Sequence, residues 1–258
     1  MIKLENTEVM GWEAAIRGMR NPINSWEKSD SGWTTNGIGE KDICTDSDYD
    51  GYYEFKIGPD DQDLMKRLRN AGTDHRKFMR MITVYVDITA PLYWWKEFDT
   101  YKVGTVANSC STMHKIAAKE FTMEDFSCDH LFGVEDMIPS DQRDENSIYK
   151  DIALAAVNID GNDCYFSPKG FIQMTCNILN RYRNCFLETK DKRYWWQMIQ
   201  LLPSSYNQHR TVMLNYEVLA NIYKSRRNHK LDEWRDFCDW IKSLPYSELI
   251  TGKEENDG

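Results

Sequence analysis

The stretch ITVYVDITAPLYWWKEF, residues 82–98, predicts a buried strand that runs directly into a helix. Pro91 fixes its own φ angle and has no N–H, so it can end the strand and stand at the first position of a helix. Before it, apolar side chains alternate with polar or amphipathic ones, as a half-buried strand requires. The alternating apolar residues are Ile82, Val84, Val86 and Ile88. A strand joined to a helix in this way indicates an α+β fold.

On both sides of this stretch the sequence has the 3.6-residue period of amphipathic helices. The C-terminal half is predicted to be a long helical region that packs on an antiparallel or mixed sheet. A long helix from Pro168 is predicted to turn Phe171, Met174, Ile178 and Tyr182 inward. The helices are predicted over residues 11–20, 59–72, from 168 onward, 194–202, 211–227 and 231–242.

The chain is predicted to form a single domain over residues 1–250. Residues 28–52 are rich in Ser, Gly and Asp, and residues 122–146 are acidic and irregular. Such compositions are typical of loops, so both segments are predicted to be surface insertions. Residues 251–258, TGKEENDG, are predicted to be a disordered tail.

Composition narrows the class of function. The formal net charge of −9 disfavours a general nucleic-acid binder, which needs clustered Lys and Arg. No apolar run reaches the roughly 18 residues that a membrane helix needs, and the N-terminal residues do not resemble a signal peptide. The seven Cys are scattered and form no C-x-x-C pair, which is typical of reduced thiols. We therefore expect a cytoplasmic protein without a membrane anchor.

Two segments carry the strongest pattern in the chain. The first, residues 71–114, ends in TYKVGTVANSCSTMH, and the second, residues 201–234, begins LLPSSYNQHRTVMLNYEVLANIYKSRR. In order and spacing they resemble the signature R-H-R-x-x-S-x-N-E-x-S-x-R-Y and the later L-P…N-x-R-x-L…N…R segment of flavin-dependent thymidylate synthases. The first segment has one extra residue between Thr105 and Asn108. The resemblance covers about 80 of the 258 residues and implies the fold of that family.

The resemblance also implies a site. It makes Ser111, Lys102 and Arg226 the candidate residues that bind a pyrimidine nucleotide, with Arg226 the candidate catalytic residue. Family members methylate dUMP with FAD as cofactor and with NADPH and methylenetetrahydrofolate as co-substrates, between the subunits of a homotetramer. The protein in that chemistry orients the ligands and polarises the uracil, while the flavin supplies hydride. The residues implied to line the flavin are Asn108, Asn215 and Asn221.

Several signature positions differ, and they leave a second function open. Thr100 and Tyr101 stand where the signature has Arg and His, and Met113 stands where it has Arg. Glu217 replaces a further Arg and is expected to repel a pyrophosphate. Because arginine binds phosphate through a planar fork of donors, these changes favour an inactive homologue that serves as a nucleotide-binding or assembly module. A weaker alternative is an enzyme with another cofactor that uses Tyr101, Lys102 and His114.

Other motifs carry less weight. Cys110 could be a nucleophile activated by His114, but a buried small thiol in a turn is the favoured interpretation. Asp46, Asp48 and Asp50 imitate a calcium loop, but its twelfth position is Ile57 rather than Glu. The histidines have no metal-ligand spacing, so no metal site is predicted.

Overall fold

The computed structural model describes residues 2–35, 53–133, 155–159 and 162–252. Within these ranges lie eight strands and nine α-helices. They are β1 (Lys3–Met10), α1 (Trp12–Arg20), β2 (Gly32–Thr35), β3 (Tyr53–Lys56), α2 (Pro59–Asn70), β4 (Thr83–Pro91), α3 (Leu92–Phe98), β5 (Val106–Ser109), α4 (Thr112–Lys115), β6 (Ala155–Ile159), β7 (Asn162–Phe166), α5 (Pro168–Thr189), α6 (Lys192–Leu201), β8 (Asn207–Asn215), α7 (Tyr216–Arg226), α8 (Asp232–Ser243) and α9 (Glu248–Thr251).

The sheet order confirms an α+β architecture. Four strands form one sheet in the order β1-β4-β8-β5. Strands β2 and β3 form an antiparallel pair, and so do β6 and β7. No helix in the described ranges is long and apolar enough to cross a bilayer.

The chain divides into two compact units. Unit 1 comprises Met1–Lys3, Ile88–Thr100 and Ser109–Arg210, and unit 2 comprises Leu4–Asp87, Tyr101–Asn108 and Thr211–Gly258. The two segments of the family resemblance therefore contribute residues to both units. Whether residues 1–250 behave as the single predicted domain stays a prediction.

Strand β4 has the burial pattern that its sequence predicts. Its apolar positions from Val84 to Ile88 are at most 1% exposed, and the intervening side chains are half-buried. Pro91 ends the strand and caps α3 with an extended backbone. Trp94, Trp95 and Phe98 of α3 are buried and contact one another through their rings.

Helix α5 begins at Pro168 as predicted, but its buried face is different. Phe171 and Ile178 are 54% and 39% exposed, so their predicted inward position is wrong. Ile172, Cys176 and Leu179 are buried instead. The buried stripe has the helical period that was predicted, but it lies about one residue further along the chain. Both stripes are apolar in sequence, and only the packing partners decide between them. One hydrophobic cluster of unit 1 contains Ile116, Phe121, Phe126, Ile172, Cys176, Leu179 and Met198.

The two predicted insertions begin with ordered structure. Residues 32–35 form β2 rather than a loop, and residues 36–52, including the Asp46–Asp50 motif, lie outside the described residues. In the second segment Asp125 and Phe126 are buried, and Phe126 forms a β-bridge with Tyr206. Residues 134–146 lie outside the described ranges. The start of the second segment thus belongs to the core, whereas Trp33 and Thr34 of the first segment are exposed.

The helix predicted over 211–227 begins later than expected. Residues 207–215 form β8, in which Val212 and Leu214 are buried while Thr211 is exposed. This alternation is a strand period, and the helical stripe begins only after it. The helix itself starts at Tyr216, directly after Asn215. The sequence also gave no sign of β1.

A buried ion pair anchors α2 in unit 2. Arg20 Nε donates to Asp61 Oδ1 at 2.6 Å, and the hydroxyls of Ser29 and Ser31 each donate to Asp61 Oδ2 at 2.6 Å. Burial alone raises the pKa of the Asp61 carboxyl, but the hydrogen bonds from the serines and Arg20 outweigh it and hold the pKa below its usual value. The anchor therefore ties residues 29–31 to α1 and α2.

We predict that Asp61→Asn lowers the free energy of unfolding by about 3–5 kcal/mol, because it leaves the Arg20 charge buried without a counter-ion. Since the folded pKa of Asp61 is depressed, its contribution is present above the unfolded pKa of about 3.9 and is lost as the pH falls through the folded value. Urea denaturation at pH 7 and below pH 4 measures the loss in free energy of unfolding and its dependence on pH. The control Asp63→Asn, at an exposed pair with Arg67, should cost about 0.5 kcal/mol or less. Equal losses in the two variants would contradict the assignment.

Candidate functional site

The predicted site residues fall into both units. Ser111 belongs to unit 1, and the remaining residues belong to unit 2. Those in unit 2 are Lys102, Asn108, Asn215, Asn221 and Arg226.

In unit 1, Ser111 lines a cavity of about 490 Å³. Ser111 is also the N-cap of α4, where its hydroxyl oxygen accepts a hydrogen bond from the His114 backbone N–H at 3.2 Å. The cavity wall is rich in hydroxyl, amide and cationic groups. They include Lys3, Thr89, Thr112, Lys115, Lys119, Tyr206, Asn207, Gln208 and His209.

One of these cations is already compensated. Lys119 Nζ pairs with the buried carboxylate of Asp125, and this hydrogen bond raises the pKa of Lys119. Burial, followed by the charge of Asp125, raises the pKa of Tyr206, so its phenol stays protonated at neutral pH. Lys3 and Lys115 have no carboxylate partner among the described residues. Glu124 also lines the cavity, so three lysines face two carboxylates and the described wall keeps an excess of one positive charge.

In unit 2, Arg226 is held by aromatic side chains. Its Nε donates to the Tyr101 hydroxyl oxygen at 2.9 Å, and its guanidinium carbon lies 4.7 Å from the centroid of the buried Trp234 ring. The Tyr101 ring also lies beneath the guanidinium, at 5.7 Å. A guanidinium on aromatic faces gains cation–π stabilisation and a fixed plane. Arg226 is therefore an oriented, half-buried cation rather than a solvated one.

Tyr101 and Trp234 are functional candidates that sequence reasoning had only partly found. Tyr101 stands where the signature has His, and the hydrogen bond gives that replacement a role. Trp234 was predicted only as part of the apolar face of α8. A tryptophan on the apolar face of a helix has the same spacing whether it only fills the core or also orients a cation. The sequence therefore did not indicate that Trp234 contacts Arg226.

The loop that carries Lys102 and leads to Asn108 in β5 packs on the start of α7. Gly104 has a φ of +80°, and a Cβ there would lie 3.1 Å from both Asn215 Nδ2 and Val218 Cγ2. Asn215 is the N-cap of α7, and its Oδ1 accepts from the Val218 backbone N–H at 3.0 Å. Lys102 and Asn108 themselves are exposed. The two segments of the resemblance thus meet within unit 2.

Glu217, on the first turn of α7, is neutralised. It is only 8% exposed and pairs with Arg76 at 3.4 Å and with Arg80. Burial alone raises the pKa of the Glu217 carboxyl, but hydrogen bonds and charges from Arg80 and Arg76 outweigh it and lower the pKa. The expected repulsion of a pyrophosphate by Glu217 is therefore offset by two arginines. Neither arginine was recognised from the sequence as part of the site.

Asn221 lies on a different face of α7 from Arg226. At about 100° per residue, Asn215 and Arg226 are about 20° apart around the helix axis, whereas Asn221 is about 140° from Arg226. Asn221 Oδ1 accepts from Arg76 Nη2 at 3.3 Å. Its side chain lines a second cavity, of about 340 Å³, which does not include Arg226.

The remaining motifs show no catalytic geometry. Cys110 is exposed, and His114 donates a hydrogen bond from its backbone N–H to the Ser111 hydroxyl oxygen rather than from its ring to the thiol. Within the described ranges, no three His, Cys, Asp or Glu side chains are grouped so that they could hold a metal ion.

Comparison with known proteins identifies the fold. No protein-family model and no curated protein matches the chain. Solved structures do. The flavin-dependent thymidylate synthase ThyX from Helicobacter pylori, complexed with FAD and dUMP, is 17% identical with a TM-score of 0.58 over 96% of this chain and 98% of that one. A second structure of that enzyme with FAD and dUMP has 16% identity, a TM-score of 0.57 and coverage of 97% and 98%.

A third similar structure is that of a nucleotide methylase. The UMP/dUMP methylase PolB from Streptomyces cacaoi, bound with 5-Br UMP, is 14% identical with a TM-score of 0.50 over 97% of this chain and 94% of that one. These similarities confirm the ThyX-like fold that the two sequence segments predicted, across nearly the whole chain.

We predict that Glu217→Gln lowers the free energy of unfolding by about 1–3 kcal/mol, because one buried acceptor then faces two arginines without a full charge. The folded pKa of Glu217 is depressed, so this loss is full above the unfolded pKa of about 4.3 and disappears as the pH falls through the folded value. Denaturation at pH 7 and pH 3.5 tests both parts. Asp239→Asn, which removes an exposed pair with Lys242, is the control. A loss that is independent of pH would refute the charge pairing.

Proposed function

We propose that the protein is a divergent flavin-dependent thymidylate synthase-like protein that binds or acts on a pyrimidine deoxynucleotide. The observation that carries the proposal is the fold shared over nearly the whole chain with structures described as complexes with FAD and dUMP. The reaction, if the protein is active, is the methylation of a dUMP-type substrate.

In this proposal Arg226 anchors the nucleotide and is the catalytic candidate. Tyr101 and Trp234 hold its guanidinium in one plane before any ligand binds, and pre-orientation of a donor lowers the cost of binding. A guanidinium so held can bind a phosphate or polarise a uracil carbonyl. Ser111 and Lys102 are proposed to assist with the phosphate.

The flavin would be held by Asn108, Asn215 and Asn221. The charge balance fits an anionic cofactor, because Arg76 and Arg80 offset Glu217. Asn215 uses its Oδ1 as a helix cap, which leaves its amide N–H₂ directed at the Gly104 loop. When bound, FAD would supply hydride, with NADPH as reductant and methylenetetrahydrofolate as the source of the one-carbon unit.

We further propose a homotetramer in the cytoplasm. This rests on the family resemblance alone, in which sites form between subunits. Residues of a second copy could then complete a site that one chain leaves short of cations.

An inactive nucleotide-binding or assembly module is the second candidate. It rests on the differing signature positions, because the Tyr101 hydrogen bond that occupies the Nε of Arg226 also orients the guanidinium for a ligand. Only the enzyme requires a bound flavin. Purified protein that carries a chromophore absorbing in the flavin bands therefore supports the enzyme over the module. Formation of dTMP from dUMP in the presence of NADPH and methylenetetrahydrofolate would establish the enzyme and exclude the inactive module.

We predict that saturating dUMP raises the melting temperature by several degrees, since ligand at about 100 times Kd adds about 2.7 kcal/mol. Arg226→Gln should abolish this shift. Arg235→Gln, which removes an exposed arginine paired with Asp232, is the matched control and should keep it. Differential scanning fluorimetry with and without dUMP and FAD measures the shifts. A full dUMP shift in Arg226→Gln would show that the site assignment is wrong.

A further inference from the structure

Arg210, in β8 of unit 1, is a largely buried cation that does not line the cavity next to Ser111. Its side chain is 14% exposed, and its guanidinium carbon lies 4.0 Å from the centroid of the Trp95 ring. Its Nη1 donates to Asp99 Oδ1 at 2.7 Å. The cation–π contact and the charge-assisted hydrogen bond together fix the plane of the guanidinium. Arg210 is therefore an oriented donor that lies outside the cavity.

Arg210 determines the orientation of the Gln208 side chain. The Arg210 Nε donates to Gln208 Oε1 at 3.0 Å. Because a guanidinium has donors and no acceptor, the amide presents its oxygen to Arg210 and directs its NH₂ group away from it. The backbone of Gln208 is held as well, since its carbonyl accepts from Trp95 Nε1 at 2.9 Å. Gln208, unlike Arg210, lines the cavity.

The Gln208 amide holds the turn that leads into α4. Its Nε2 donates to the Thr112 hydroxyl oxygen at 3.0 Å and to the Cys110 carbonyl at 3.3 Å. The Cys110 backbone N–H donates to the His209 carbonyl at 3.0 Å, so both peptide groups of this residue are held. Ser111 lies between the two residues that Gln208 contacts. The position of the Ser111 hydroxyl therefore depends on the orientation of the Gln208 amide.

Two adjacent hydroxyls on this turn can donate to a ligand. The Ser111 oxygen accepts from the His114 backbone N–H, and the Thr112 oxygen accepts from Gln208. A hydroxyl that accepts a hydrogen bond through its oxygen keeps its own proton for donation. Both residues line the cavity, so both protons are available to an acceptor there. Donors that are held in place before a ligand arrives lower the cost of binding it.

We propose that Arg210 is a positioning residue for the nucleotide site. Through Gln208 it fixes the turn at residues 110–112 and so orients the hydroxyls of Ser111 and Thr112 for the nucleotide phosphate. The choice of ligand rests on the function proposed above, whereas the order of the turn does not. Arg210 acts through Gln208, since it does not itself line the cavity.

The first test is Arg210→Lys in the full chain, which keeps the positive charge beside Asp99 but removes the Nε donor to Gln208. Hydrogen–deuterium exchange in peptides from residues 109–115 should become several-fold faster. The Kd for dUMP should rise about threefold to tenfold, as expected for the loss of one hydrogen bond. Circular dichroism and the melting temperature without ligand establish that the variant is folded.

The matched control is Arg193→Lys. It makes the same substitution at an exposed arginine of unit 1, whose Nε donates to Asp191 Oδ2 at 2.8 Å and which does not line the cavity. Neither the exchange in residues 109–115 nor the Kd for dUMP should change in this variant.

A double-mutant cycle shows whether Arg210 acts through Gln208. Gln208→Met removes the amide without changing the net charge and should weaken dUMP binding about tenfold. In that background Arg210→Lys should add no further loss, because the interaction that it supports is already absent. Thr112→Val, which removes one acceptor of the amide and leaves Arg210 in place, should also speed exchange in residues 109–115.

The proposal is overturned if Arg210→Lys leaves exchange in residues 109–115 unchanged, if Arg193→Lys has the same effect, or if the losses of Arg210→Lys and Gln208→Met add. The proposed function fails separately. If the turn responds to the variants as expected but the unchanged protein does not bind dUMP, the ordering of the turn by Arg210 stands and the nucleotide assignment of the site is wrong.

Discussion

The ion pairs of Glu217 with Arg76 and Arg80 are the constraint on which the chemistry of unit 2 depends. They join the first turn of α7 to the 3₁₀ turn that precedes β4, and the remainder of the helix follows from that position. Its buried residues then face the core, and the Asn215 cap and Arg226 share one face. Asn221 and Lys224 are carried to another face. The pairing of this one carboxylate and the burial of the apolar side chains of α7 together place its cations on two separate faces.

The contacts of Glu217 and Arg226 change the interpretation of the positions at which the chain differs from the signature. The sequence has other residues at several positions where the signature that it resembles has arginine. In unit 2 the positive charge is found elsewhere: Arg76 and Arg80 neutralise Glu217, and Lys224 and Arg227 approach a cavity that already contains Arg69. Tyr101, in the place of a signature His, holds Arg226 through its hydroxyl. Unit 2 therefore carries its described cations at Arg76, Arg80, Arg69, Lys224 and Arg227 as well as at Arg226.

Features that depend on local sequence were predictable, and features that depend on distant partners were not. The period of two in β4 and the position of Pro91 gave the central strand and the helix after it. The start of α5 followed from Pro168, but its buried face did not, because Phe171 and Ile172 are both apolar and only packing selects one. Residues 211–215 were assigned to a helix because Leu214 continues the stripe of α7, whereas pairing within the sheet makes them a strand. The partners of Glu217 lie about 140 residues earlier, beyond the reach of any local pattern.

We propose that α7 is the element that contacts the ligands. Hydrogen–deuterium exchange with and without saturating FAD and dUMP tests it directly. We predict slower exchange in peptides from residues 211–227 on ligand addition, and little change in peptides from α5 and α6, residues 168–201. Ligand-dependent protection that spares 211–227, or no protection anywhere in the chain, would contradict the account.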